Sequence, residues 1–258
     1  MSELALIQWR GALALAGRET RRVLYLWTQT ILPPVVTALL FLAVFGGALG
    51  KRIHHIEGLP YLHFILPGLL VMTVAGQSFA NSSTSIFQAK NEGYIDGVLA
   101  SPINGWQLVL AYMTGGLVRS GLAALVVGAA ASPWTGGPDN AGLLVIALLF
   151  TSLIFSALGV ITGVWADTFD QHSFIANIVI TPLALVGGVF YSARSLHSPW
   201  STLTRIDPLY YLVDAARAGS TGFHESSVAI SLAVAAGVAI IAFLTAATLV
   251  TRGWRLRP

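Results

Sequence analysis

Residues 141–165 read AGLLVIALLFTSLIFSALGVITGVW, 25 consecutive positions without one charged side chain. Wound as an α-helix rising about 1.5 Å per residue, that segment crosses the roughly 30 Å hydrocarbon core of a bilayer. Five further apolar runs share its character: 34–50 (PVVTALLFLAVFGGALG), 59–80 (LPYLHFILPGLLVMTVAGQSFA), 107–131, 173–193 and 228–250. Of all the charged residues, Arg119 alone falls inside a run. The 258-residue chain is 55% hydrophobic and 10% charged, with a mean hydropathy of +0.74. Soluble domains carry about a quarter charged residues, and a chain of this size cannot hide so much apolar surface from water. A soluble enzyme, a disordered tail and a fibrous repeat are thereby excluded.

In hydrocarbon the backbone must satisfy its own hydrogen bonds, so the runs predict helices, and the alternation of a membrane barrel is missing. The expectation is a single all-α integral membrane domain over 1–258 with six transmembrane helices. They fall at about 28–50, 59–81, 107–131, 141–165, 173–193 and 228–250, the first borrowing a turn from residues 28–33. Neither an internal repeat nor a low-complexity linker divides the chain. With the N-terminus inside, the cytoplasmic segments hold Arg10, Arg18, Arg21, Arg22, Lys90, Arg252, Arg255 and Arg257. The outer loops then hold Lys51, Arg52, Arg194, Arg205 and Arg217. That bias places both termini in the cytoplasm of a multi-pass cell (inner or plasma) membrane protein. The net charge of +3 is read as topology rather than nucleic-acid binding. With no cysteine, disulfides and Cys-ligated zinc are excluded. No cleaved signal is expected, because the first apolar run begins behind a long basic segment.

Before that run, Leu6, Trp9, Leu13, Ala16, Thr20, Leu24 and Trp27 repeat in three- and four-residue steps. They form an apolar stripe, with Glu3, Arg10, Arg18, Arg21 and Arg22 away from it. Residues 1–27 therefore read as an amphipathic helix in the inner membrane interface, ended and redirected by Pro33-Pro34. Between the fifth and sixth runs, Ser198-Pro199 and Asp207-Pro208 each read as an N-cap followed by proline at the first helical position. They predict two short helices, about 199–206 and 208–218, with Gly219 as the stop. Trp200, Leu203, Leu209, Tyr210, Tyr211 and Leu212 make this 198–219 hairpin too apolar for open water, so it is expected to re-enter the outer leaflet.

No catalytic or metal site is read. The adjacent pair His54-His55 cannot face one metal, and Gly76-Gln77-Ser78-Phe79-Ala80 lies in an apolar helix rather than on a strand-to-helix turn. Lys51 follows Gly50, but Phe45 and Arg52 occupy positions that a phosphate-binding loop reserves for Gly and Ser/Thr. Arg119, about 18 Å along its helix, stands near the bilayer middle. A charge there costs about 2.5–3.5 kcal/mol or more unless it meets water or a partner. It is read either as a cavity group for an anionic substrate or as a structural Arg bonded to carbonyls or to Asn177. Gly115, Gly116, Ser120 and Gly121 beside it, and Gly159 and Gly163 in the next run, permit close helix approach. The loop 82–106 mixes Lys90, Glu92 and Asp96 with Ile95, Val98 and Leu99 before Ser101-Pro102, a pattern suited to docking on a soluble partner.

Taken in order, WTQTILPPVVTALLFLAVFG, NEGYIDGVLASPINGWQLV, TPLALVGGVFYSARSL and SPWSTLTRIDPLYYLVDAARAG make the chain resemble the membrane subunit of a type-2 ABC exporter. The family usually shows Asn before the hairpin proline; Asp207 stands there and can still cap. The resemblance implies a half-transporter: a homodimer in the lipid bilayer driven by a separate ABC ATPase, which carries the ATP and Mg that this chain does not bind. It implies a coupling helix at 91–101, with Asn91, Glu92, Gly93, Ile95, Asp96, Leu99, Ser101 and Pro102, and a smaller contact at Asp167 and Asp170. Arg119, Asn177, Phe190 and Tyr191 are the substrate-path candidates, and Trp200, Asp207, Pro208, Tyr210 and Tyr211 form the outer gate. Substrates in such a family include drugs, lipids and lipid-linked or free polysaccharides; the spans lack a one-sided row of aromatic rings, which favours an amphipathic drug or lipid over a sugar. The competing reading is a secondary transporter or channel working without ATP. It would need mid-membrane acids or inverted repeats, and the runs contain no Asp or Glu.

Overall fold

The computed structural model describes residues 3–44 and 55–255. Lys51, Arg52, His54, Arg257 and the end of the first apolar run lie outside the described residues. The chain opens with α1 (Glu3–Tyr25), α2 (Trp27–Thr30) and α3 (Leu32–Ala43). A two-residue hairpin follows, β1 (His55–Ile56) and β2 (Leu59–Pro60). Next come α4 (Tyr61–Asn91), the short α5 (Ile95–Leu99), α6 (Gly105–Thr135) and α7 (Ala141–Trp165). Then α8 (Phe169–Ile175) runs through a π-helical turn, Ala176–Ile180, into α9 (Thr181–Val186). After a 3₁₀ turn at Ala193–Ser195 the chain forms α10 (Trp200–Ile206), α11 (Pro208–Thr221) and α12 (Val228–Thr251).

Among the described residues, four helices, α4, α6, α7 and α12, are long and apolar enough to cross a membrane. The first apolar run is part of a broken pair: α1 meets the α2–α3 segment at 80°. The break lies at Leu26, earlier than the expected Pro33-Pro34. Those prolines instead occupy the first turn of α3, where a missing N–H costs nothing. The fifth run is an irregular rod from Phe169 to Val186 rather than one regular helix.

The central helix is α4, packed along α6 and α7. It is buried almost all round, from Phe64 and Val71 at one end to Ser82, Ser85 and Ala89 at the other. Between lipid-embedded helices there is little hydrophobic drive, so close packing of small residues must supply the attraction. A Cβ on Gly159 would sit 2.6 Å from the Phe79 carbonyl oxygen, and one on Gly163 would sit 2.7 Å from that of Ser83. The glycine pair expected to allow close approach does bring α7 onto the backbone of α4. A hydroxyl pair, Ser120 Oγ and Ser152 Oγ at 2.8 Å, joins α6 to α7 inside the same seam.

The end read from the sequence as outer is closed by α10 and α11, which begin within a residue of where the two Xaa-Pro signals place them. Asp207 Oδ1 accepts the Leu209 N–H at 2.8 Å, as a capping residue should. Ser198 does not cap: Pro199 holds the N-cap position and no side chain bonds there. Nor does Gly219 stop α11, which runs on to Thr221 and ends at left-handed Gly222. Gly219 is instead a contact glycine, since a Cβ there would lie 2.5 Å from the Leu144 nitrogen of α7.

Candidate functional site

At the end of α4 the chain reverses through Gly93, whose φ of +75° is a backbone shape that only glycine adopts without strain. The reversal leads into α5, a helix of five residues. Ile95 is buried in a cluster with Leu108, Val109 and Tyr112, and Val98 and Leu99 pack against that cluster. The apolar residues of this loop thus point into the chain's own core, away from any surface for a partner. Asn91, Glu92, Gly93, Asp96 and Gly97 remain exposed, as do Ala100 and Pro102. The loop closes where Ser101 Oγ donates to the Val98 carbonyl at 2.5 Å, just before Pro102. Asn104 and Gln107 then cap α6 reciprocally.

Three helix ends converge beside this loop. Lys90 Nζ donates to the carbonyls of Val164 at 2.8 Å and Ala166 at 3.0 Å, and pairs with Asp167 at 3.2 Å. Arg255, just beyond α12, pairs with the other oxygen of Asp167 at 3.3 Å and donates to the Trp165 carbonyl at 2.9 Å. Asp167 is therefore committed within the chain, while Asp170 stays exposed. His172 and Ser83 share a hydrogen bond of 2.9 Å that ties α8 to α4.

Onto this platform α1 is clamped. The Arg18 guanidinium lies 5.2 Å over the Tyr94 ring, Trp9 meets Trp106 edge-on at 5.5 Å, and Asn104 Nδ2 donates to Gln8 Oε1 at 3.2 Å. Burial pushes the Tyr94 phenol above its ordinary range, so it stays neutral under the cation. The buried face of α1 is Ala12, Leu15, Glu19 and Val23. Of the apolar stripe read from the sequence, Leu6, Leu13 and Leu24 face outward, Leu13 at 66% exposure, while Ala16 packs on the core and Trp9 on Trp106.

Glu19 was not legible as a site residue. It stands in a basic segment that reads as a solvated face, yet it is only 1% exposed. Its carboxylate pairs with Arg18 at 2.9 Å and Arg22 at 3.2 Å, and accepts from Ser85 Oγ at 2.6 Å. Arg22 also donates to Asn81 Oδ1 at 3.3 Å and to Ser85. Gly115 makes room, since a Cβ there would come within 3.1 Å of the Glu19 Cβ. The available signal was Gly115-Gly116 on α6 together with one acid between two arginines on the face away from the apolar stripe.

Arg119 donates through Nε to Gln77 Oε1 at 2.7 Å. Asn177, proposed from the sequence as its alternative partner, is exposed on the π-helical turn. Arg119 lines two cavities that also share Gln29, of about 340 and 200 Å³. Phe190 packs on Phe41 at 5.9 Å between ring centres. Tyr191 donates to the Val186 carbonyl at 2.5 Å and lies 3.1 Å from Thr204 Oγ1, stapling α9 to α10. The structure therefore does not gather Arg119, Asn177, Phe190 and Tyr191 into one site.

At the outer end, Tyr210 is buried against Tyr211 at 5.1 Å, Pro208 begins α11, and Trp200 is exposed. Burial pushes the Asp207 carboxyl up to about 6, with the Leu209 N–H pulling it back. Arg217, counted from the sequence among the outer-loop charges, is 1% exposed. It donates to the carbonyls of Phe64 at 3.2 Å and Gly188 at 2.9 Å, lies 3.7 Å over the Phe64 ring and faces Glu225 at 3.8 Å. Arg119 is thus not the single buried charge. A helix-borne charge can be recognised as buried only when its partners from distant elements are known.

Long apolar helices with small-residue seams and a bent amphipathic start define a multi-pass membrane protein. The family model for ABC-2 type transporters matches residues 10–220. The chain is 31% identical over 252 residues to the inner membrane transport permease YadH of Escherichia coli K12, covering 97% of this chain and 98% of that one. It is 24% identical over 234 residues to nodulation protein J of Rhizobium meliloti, covering 89% and 87%. To nodulation protein J of Rhizobium leguminosarum bv. viciae it is 22% identical over 228 residues, covering 86% and 87%. The chain belongs to the ABC-2 type transporter family. It is a transporter permease and not an enzyme, and membership implies pairing with an ABC ATPase.

Proposed function

We propose that this chain is the inner-membrane half of an ATP-driven exporter for amphipathic drugs, lipids or lipid-linked saccharides. Two copies form the path and a separate ATPase subunit supplies the energy and holds ATP and Mg. The six spans are the first apolar run of the sequence, in which α3 lies, then α4, α6, α7, the α8–α9 rod and α12, with both termini cytoplasmic. The rod, 18 residues from Phe169 to Val186, is about 27 Å long, enough to cross most of the core. In this reading α1 lies in the inner interface with its outward stripe in lipid, and α10–α11 forms a re-entrant outer gate. The observation that carries the reading is the α4–α5–α6 turn: anchored inward by Ile95, tied to α1 through Tyr94, and offering Glu92 and Asp96 outward. Such a turn passes a push from a partner directly to two spans and to α1. Its acidic face calls for a basic groove on the ATPase, with Asp170 as the smaller second contact.

The chain has no cysteine, so single replacements report without background. Gly97→Cys should cross-link to the co-expressed ATPase and resist an impermeant maleimide in intact cells, while Ser198→Cys should react with it. Labelling of Gly97→Cys from outside, or its failure to cross-link in a complex that co-purifies, would contradict the reading.

A further inference from the structure

Two cavities meet at Arg119 and Gln29, and their walls differ in chemistry. The smaller, about 200 Å³, is lined by Arg22, Asn81, Thr84, Gln88 and Arg119. The larger, about 340 Å³, is lined by Pro33, Ala38, Phe41, Leu69 and Met72, with Gln77 and Arg119 at its polar end. Together they make a slot that is cationic at one end and apolar at the other, beside the break between α1 and α3.

The charges do not balance. One carboxylate, Glu19, serves both Arg18 and Arg22. Arg119 has only the amide oxygen of Gln77, bonded through Nε, and no carboxylate among the described residues lies within ion-pair distance of it. Its terminal nitrogens make no hydrogen bond to the described residues. Arg119 stands 14 residues into α6, about 21 Å from the cytoplasmic end of that helix. A guanidinium at that depth is costly unless an anion or water meets it, and its planar fork suits phosphate or carboxylate.

We infer that this slot is a binding site for an anionic amphiphile, its phosphate or carboxylate head between Arg119 and Arg22 and its alkyl part along α3 and α4. The site's use in transport rests on the exporter reading; its existence does not. A ligand would reach it from the inner leaflet beside the bend between α1 and α3, where Gln29 borders both cavities. Phe41 and Met72 then hold the chain while the head displaces water from the guanidinium.

The test uses the whole permease in phosphatidylcholine nanodiscs, without its ATPase. Two photoreactive probes with the same diazirine-bearing C12 tail are compared, one ending in a phosphate monoester and the other in an alcohol. Labelled peptides are mapped by mass spectrometry. The phosphate probe should label 33–41 and 69–72 about tenfold more than the alcohol, as expected for a charge-assisted contact. Arg119→Gln should remove that excess and Arg119→Lys should keep most of it. Excess inorganic phosphate should not compete, because it lacks the tail. Equal labelling by the alcohol overturns the site, as does an excess that survives in a monodisperse Arg119→Gln protein. Full competition by inorganic phosphate would overturn the amphiphile assignment. Specific labelling without ATP-driven transport in the reconstituted complex would refute the exporter reading and leave the site standing.

Discussion

Among the described residues charge is buried at two places, and the two are built differently. At the outer end Arg217 is held by fixed backbone carbonyls and an aromatic ring, and the neighbouring acid is equally committed. Asp214 accepts from the Glu225 N–H at 2.6 Å, the Ser226 N–H at 3.2 Å and Ser231 Oγ at 3.0 Å. That cluster joins α11 to α4, to the turn at Gly188 and to the start of α12. At the inner end the partners are side chains on three helices, one carboxylate is shared by two cations, and a third cation, Arg119, faces cavities. Saturated charges on backbone partners lock elements together. Charges shared among movable side chains, beside open volume, are available for a ligand or a change of partner. The outer cluster is therefore a clasp, and the inner one is where a transport protein has chemistry to offer.

The contrast is broken most severely at the clasp. Arg217→Met preserves bulk but strands Glu225, whose side chain is 2% exposed, beside Asp214. Removing one partner of a buried pair costs about 3–5 kcal/mol, so little folded protein should be recovered from membranes by size-exclusion chromatography. A stable, monodisperse Arg217→Met protein would show that the outer cluster is not a clasp. At the inner end the expected loss is smaller. In Glu19→Gln the amide still accepts a bond, and Arg22 keeps Asn81 and Ser85, so destabilisation should be about 1–3 kcal/mol. The protein should fold, and coupling of ATP hydrolysis to transport should fall. If Glu19→Gln unfolds the chain as thoroughly as Arg217→Met, the two clusters are alike.

The smallest effect is expected at Asp207, on the edge of the outer cluster. Its folded carboxyl is raised to about 6 from an ordinary 3.8. Stability from the protonated form is thus complete below about 4 and is lost as pH rises through about 6. Asp207→Asn keeps the cap acceptor without the charge. Its melting temperature should equal that of the parent near pH 4 and exceed it by a few degrees at pH 7, measured by differential scanning fluorimetry. A parent that gains on the variant as pH rises would reverse the sign.

Much of this architecture is legible in the sequence, because composition and punctuation are local signals. The long apolar runs mark α4, α6, α7 and α12, and Asp207-Pro208 places α11 within a few residues. Gly159 and Gly163 announce the α4–α7 seam. Other features depend on contacts far along the chain. Leu26 carries no breaking signal, yet α1 turns there because its inner face follows Glu19 and Val23 into the α4–α6 seam. Glu19 and Arg217 look like solvent-facing charges until Ser85, Gly115, Phe64 and Gly188 are brought beside them. The mixed polarity of 82–106 is legible, but residues 82–91 continue α4 rather than forming a loop, and which side of the remaining 92–104 turn faces outward is set by Ile95 packing on α6.

We place the entry of force at the acidic turn between α4 and α5, with Glu92 and Asp96 exposed, and not at the outer hairpin. The direct measurement is transport per ATP hydrolysed in vesicles holding the permease and its ATPase. A double charge reversal, Glu92→Lys with Asp96→Lys, touches exposed residues and leaves the fold intact, while Arg205→Glu reverses an exposed charge on α10. The inner reversal should lower transport per ATP about tenfold or dissociate the ATPase, and the outer reversal should change it less than twofold. Normal coupling in the Glu92→Lys, Asp96→Lys protein would contradict it.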